Sequence, residues 1–100
     1  MLFAFLLVDR PGSAALRART IAEHRAYLAR FAERIAIAGP LLADDHETMI
    51  GSLLVLDFDD RAAAEAWLRE EPLTRAGVYG ETTIRPFMSR WPQRAGVVAA

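Results

Sequence analysis

Apolar residues fall into four short runs, separated by segments with helical spacing. Leu2-Phe3-Ala4-Phe5-Leu6-Leu7-Val8 is unbroken and predicts a strand buried on both faces; the turn cluster Asp9-Arg10-Pro11-Gly12 stops it. Ser13 stands where its hydroxyl would cap a helix. From Ala14 to about Arg34, Ile21, His24, Leu28, Phe31 and Ile35 recur at steps of three and four and form one stripe. Arg17, Arg25, Arg30, Glu33 and Arg34 fall mostly on the other faces. Ile35-Ala36-Ile37-Ala38 begins a second strand, which Gly39-Pro40 interrupts and Leu41-Leu42 continues. Ala43 to Thr48 is a polar connection, and Met49 to Phe58 is a third strand.

Asp59 or Asp60 supplies a cap for a second helix, Arg61 to about Glu70, with Ala64, Trp67 and Leu68 on one side. Glu71-Pro72 ends it, because a residue before proline is pushed out of helical geometry. Leu73 to Gly77 reads as irregular or 3₁₀, and Val78 to Met88 as a fourth strand. Pro86 belongs where that strand has no neighbour to donate to. These elements make one domain over residues 1–88, with a tail over 89–100 in which Trp91 is expected to dock and the last residues to be mobile.

The order β-α-β-β-α-β is the ferredoxin-like α+β plan: both helices lie on one face of a four-stranded antiparallel sheet. A monomer of this kind has a polar outer face. Here Phe3, Phe5 and Leu7 alternate with Leu2, Ala4, Leu6 and Val8, and Leu53 and Val55 alternate with Leu54 and Leu56, so both faces are apolar. Helices cover only one. Two such sheets packed about a two-fold axis, as a homodimer forming a dimeric α/β barrel, would cover the other.

Composition removes several classes of function. The 12 basic and 13 acidic residues leave a net charge of −1, which gives no support to a nucleic-acid partner or an acidic membrane partner. All basic residues are arginine, so lysine Schiff-base chemistry is excluded. The absence of cysteine excludes disulfides and thiolate chemistry. The opening apolar run is too short to span a bilayer and lacks the flanks of a signal peptide, so a cytoplasmic protein is expected.

His24 is the leading candidate for chemistry. It lies on the stripe that faces the sheet, and imidazole titrates near neutrality. A core histidine with one hydrogen bond fits the same position. Glu71 is the carboxylate best placed to orient it, although a solvated glutamate at a helix end fits as well. Ser52 is a candidate donor to a ligand, and Tyr79 and Tyr27 are polar handles or core-edge residues. His46 reads as a surface histidine. Consecutive Asp44, Asp45, His46 and Glu47 cannot all face one ion, so no metal site is assigned.

Several short pieces, in order, resemble the YciI-like (YCII-related) family over Met1 to Met88. They are Phe5-Leu6-Leu7-Val8-Asp9 followed by Pro11-Gly12; Arg17, His24, Tyr27 and Leu28; Ala38-Gly39-Pro40; Gly51-Ser52; Ala76-Gly77-Val78-Tyr79; and Ile84-Arg85-Pro86-Phe87. The resemblance implies a dimeric α/β barrel with a histidine from the first helix, matched by His24. It also implies an aspartate from an Asp-Pro pair after the second helix. Glu71 before Pro72 takes that place with one more methylene, and Leu73 replaces the aromatic residue usual after the proline. The activity known in the family is that of a dehydrochlorinase on a chlorinated hydroxyquinol. An ionisable histidine on a core-facing stripe with a matching acid leads to the expectation of an acid–base enzyme, isomerase or lyase in type, working without a cofactor on a small organic substrate. His24 and Glu71 would be catalytic, and Arg17, Ser52 and Tyr79 would bind substrate. The alternative is a non-catalytic accessory dimer that binds a small metabolite. A haem-linked or cofactor-independent monooxygenase follows from superfamily analogy alone.

Overall fold

The structure, a computed structural model, describes residues 1–91. Strand β1 (Leu2–Asp9) leads into helix α1 (Ala14–Ala29) and a 3₁₀ turn (Ala32–Arg34). Strands β2 (Ile35–Leu42) and β3 (Met49–Asp57) follow, then helix α2 (Arg61–Glu70), a short helix α3 (Pro72–Arg75) and strand β4 (Tyr79–Phe87). The sheet order is β2-β3-β1-β4 and every pairing is antiparallel, the ferredoxin-like arrangement the element order predicts.

Local chemistry accounts for most boundaries. Gly12 turns the chain after β1 with φ 77°, a conformation that favours glycine. Asp60 caps α2, its carboxylate accepting the Ala63 N–H at 2.9 Å. Ser13 does not cap α1 through its side chain; its hydroxyl donates to the Arg10 carbonyl at 2.6 Å and ties the preceding turn instead. Helix α1 stops at Ala29, short of the expected Arg34, so Phe31 packs from a turn and Ile35 already belongs to β2. Gly39-Pro40 does not interrupt β2, because an edge strand tolerates a residue that cannot donate. Pro86 likewise lies on the edge strand β4. The Leu73–Gly77 region contains a turn of α-helix rather than 3₁₀.

The core lies between the sheet and the helices. Phe3, Phe5 and Leu7 of β1 and Leu54 and Leu56 of β3 meet Ala64, Trp67 and Leu68 of α2 there. Phe5 and Tyr27 stand 5.3 and 5.4 Å from the Trp67 ring, and Phe31 and Phe58 complete the aromatic group.

Register puts Leu6 opposite Leu53, Ala4 opposite Val55 and Val55 opposite Ile37, so these residues share the face without helices. On it Leu6 is 46% exposed, Val8 43% and Ile37 57%. Trp91 is 88% exposed and does not dock within the described residues; the mobility expected of the last residues concerns positions 92–100, outside that range. Among the described residues no helix is long and apolar enough to cross a membrane.

Candidate active site

The sheet-facing side of α1 is polar at its centre. Arg17, Thr20 and His24 are its buried residues. Steps of three and four put them in one row, and the seven steps from Arg17 to His24 span two turns, about 10 Å. Hydrophobic periodicity assigns Arg17 to an outer face; the structure buries it to 3% exposure. The reason is the set of partners it finds. Arg17 Nη2 donates to the Gly51 carbonyl at 2.7 Å and to Ser52 Oγ at 2.9 Å, and its Nε lies 3.6 Å from Asp9 Oδ2. A buried guanidinium is tolerable when it is paired and hydrogen-bonded in this way.

Gly51 makes the arrangement possible. A Cβ there would run into the Leu7 carbonyl oxygen across the β1–β3 ladder, so only glycine allows the close approach that presents its own carbonyl to Arg17.

His24 is 7% exposed and Glu71 is fully buried. His24 Nδ1 meets Glu71 Oε1 at 2.5 Å. Glu71 is both the last cap of α2 and the first cap of α3, where Oε1 also accepts the Leu73 N–H at 3.2 Å. That second role resolves the apparent conflict of an acid at a helix C-terminus: the side chain serves the helix that follows. A carboxylate only accepts, so Nδ1 carries the proton, and Nε2 has no partner among the described residues.

Beside His24 lies a cavity of about 220 Å³ between α1, β2 and β3. Its wall includes Arg17, Ile21, His24, Arg25 and Leu28 of α1, Ala38, Gly39 and Pro40 of β2, and Met49, Ser52 and Leu54 of β3. Most of this lining is apolar, with a few convergent polar groups, the usual make-up of a small-molecule site. Glu71 stands behind His24, outside the lining.

Tyr79 also stands outside the lining. Its hydroxyl reaches Ser52 Oγ at 3.0 Å, so it touches the cavity wall through serine rather than directly. Burial pushes its phenol well above the ordinary tyrosine range, and the nearby Glu71 adds to the shift. Tyr27 is a core-edge residue whose hydroxyl donates to the Trp67 carbonyl. His46 sits in an exposed turn with φ 64°, next to Asp45, which accepts the Glu47 and Thr48 N–H groups.

Sequence reasoning missed Asp9 and Thr20 as buried neighbours of this site. The signal was the spacing of Arg17, Thr20 and His24, a polar row on the face that ought to be apolar. Burial holds the Asp9 carboxyl above its usual range, and Arg17 opposes that shift.

The profile of the YCII-related domain matches residues 1–88. The chain is 30% identical to protein YciI of Escherichia coli, over 87% of this chain and 96% of that protein. It is 29% identical to a protein of Haemophilus influenzae with the same coverage. Among solved structures, it superposes with a TM-score of 0.83 on a dehydrochlorinase from Burkholderia phenoliruptrix. That enzyme acts on 5-chloro-2-hydroxyhydroquinone and was solved with 2,5-dihydroxybenzoquinone; identity is 30%, covering 88% of this chain and 94% of that one.

Proposed function

From the premise that the chain belongs to the YCII-related family, we propose that it is an acid–base enzyme of the isomerase or lyase type, in which His24 moves a proton on a small organic substrate. The observation that carries this reading is the buried His24–Glu71 pair at 2.5 Å beside an apolar cavity. Nδ1 is engaged by glutamate, so Nε2 is the nitrogen that exchanges a proton with substrate. Glu71 fixes the ring's tautomer and orientation and compensates the charge the imidazole acquires. Elimination or isomerisation then needs a positioned base, and the His24–Glu71 pair beside a mostly apolar cavity wall supports that role.

The dehydrochlorinase of the same fold and family supports a lyase in particular. It also supports a small oxygenated ring as substrate. The exposed apolar face that carries Leu6, Val8 and Ile37 supports a homodimer that covers it, as in a dimeric α/β barrel.

The test is chloride release from 5-chloro-2-hydroxyhydroquinone by the wild-type protein, His24→Gln and Glu71→Gln. The expected outcome is a loss of roughly 10²–10⁴-fold in His24→Gln, with the melting transition retained. A folded His24→Gln protein with full turnover overturns the reading.

A further inference from the structure

A second cavity, of about 340 Å³, opens beside the first, between α1 and the connection from β2 to β3. Arg17, Ile21, Arg25 and Met49 line both, so the two form one cleft that runs outward from His24. The α1 side of its outer part is the row Ala14, Ala18, Ile21 and Arg25, set at steps of four, three and four. The two alanines leave room there. Arg25 stands at the boundary that the two cavities share, one residue beyond His24.

Most polar groups of the outer cavity are already engaged. Arg17 lies 3.6 Å from Asp9 and donates to the Gly51 carbonyl and Ser52. Thr48 donates its N–H and its hydroxyl to Asp45. Elsewhere Arg30 and Arg34 lie over aromatic rings, Arg61 pairs with Glu65, and Arg75 pairs with Glu70. Arg25 is exposed and has no ion pair or hydrogen bond among the described residues. Arg19, Arg69 and Arg85 are also unpaired there, but none of them lines the cleft.

We propose that Arg25 binds a carboxylate of the substrate, which makes the substrate a small organic acid. Its apolar body lies against Ile21, Leu28, Pro40 and Leu54, with its reacting carbon at His24. The proposal rests on the acid–base reading for the reacting end and adds the group recognised at the other. A guanidinium is planar and permanently charged, and its paired N–H donors match both oxygens of a carboxylate. Asp9 offsets the charge of Arg17, so Arg25 is the cation of the cleft without a counter-ion. Glu47 lines only the outer cavity and repels an anion there. The carboxylate is therefore held at the Arg25 boundary, beside His24, rather than further out.

The probes are benzoate and benzamide, a carboxylate and a neutral amide of the same shape, titrated into the full chain near neutral pH and followed by NMR. Benzoate is expected to bind about five- to tenfold more tightly. Arg25→Gln loses no protein partner, so it should keep the melting transition while removing the preference. Arg25→Lys should keep part of it, because an ammonium carries the charge without the paired donors. Glu47→Gln should tighten benzoate and leave benzamide unchanged. Equal binding of the two probes overturns the proposal, as does no binding of benzoate at millimolar concentration. A preference that survives Arg25→Gln also overturns it, since the carboxylate would then sit elsewhere in the cleft. Repeating the titration in His24→Gln separates this proposal from the acid–base reading. A retained preference with lost turnover supports both. Retained turnover sinks the acid–base role and leaves the carboxylate site standing. Lost turnover in His24→Gln, with no preference in the wild-type protein, sinks only the carboxylate site.

Discussion

Glu71 Oε1 stands 2.5 Å from His24 Nδ1, both side chains are withdrawn from solvent, and 47 residues of sequence separate them. The contact joins the middle of α1 to the α2–α3 junction, so it organises the tertiary structure as well as the site. Oε2 of the same carboxylate is buried without a partner, which makes the histidine the main compensation for its burial.

A double-mutant cycle of His24→Gln and Glu71→Gln measures that dependence. Each single change should destabilise by about 1–3 kcal/mol, because it leaves a buried polar group unpaired. The double change should cost less than the sum, with a coupling of about 0.5–3 kcal/mol. Additive losses in urea unfolding would show that the pair is not energetically linked.

Two glycines separate close approach from mere backbone freedom. Gly51→Ala should lose about 1–3 kcal/mol, since its Cβ meets the Leu7 carbonyl and displaces the Gly51 oxygen that holds Arg17. Gly39→Ala should change stability by no more than about 0.5 kcal/mol, because nothing lies within 4 Å of its Cβ. Equal effects of the two substitutions in thermal unfolding would contradict the role given to Gly51.

The uncovered sheet face gives a prediction about assembly. Leu6→Arg puts a charge at its centre, opposite Leu53. Light scattering should report a dimer for the wild-type protein and a monomer for the variant at micromolar concentration. A monomeric wild-type protein would refute the proposed association.

Tyrosine ionisation tests the environment of Tyr79. Burial first, then Glu71, raises its phenol above the ordinary value of 10.0, and burial also raises Tyr27. The folded protein thus holds protons that the unfolded chain releases. The resulting stability is fully present below about pH 10 and is lost as pH rises through the folded-state values. Tyrosinate absorbance should appear above the ordinary range and coincide with loss of the folded circular-dichroism signal. Either tyrosine ionising near pH 10 in the folded protein would contradict the buried placement. Tyr79→Phe should weaken the alkaline loss of stability.

The sequence by itself determined the element order, the α+β class and the two apolar faces of the sheet. Alternation in Leu2–Val8 and Leu53–Leu56 and the breakers Pro11-Gly12 and Glu71-Pro72 are local signals, and local signals survive without a partner. It also marked His24 and Glu71, through one ionisable residue on a core-facing stripe and one acid in an unexpected place. Only the tertiary structure decided that Arg17 is buried. Periodicity scores a side chain by its own polarity, whereas the burial of Arg17 depends on Asp9 at the end of the preceding strand and on the Gly51 carbonyl and Ser52, 34 and 35 residues further along the chain. The same holds for Tyr79. Its type said that it could bind a ligand; register and the Ser52 hydroxyl decided that it stands one residue away from the cavity. The fold follows from patterns that neighbouring residues carry together. The site depends on partners supplied by other elements, and spacing along one chain does not contain them.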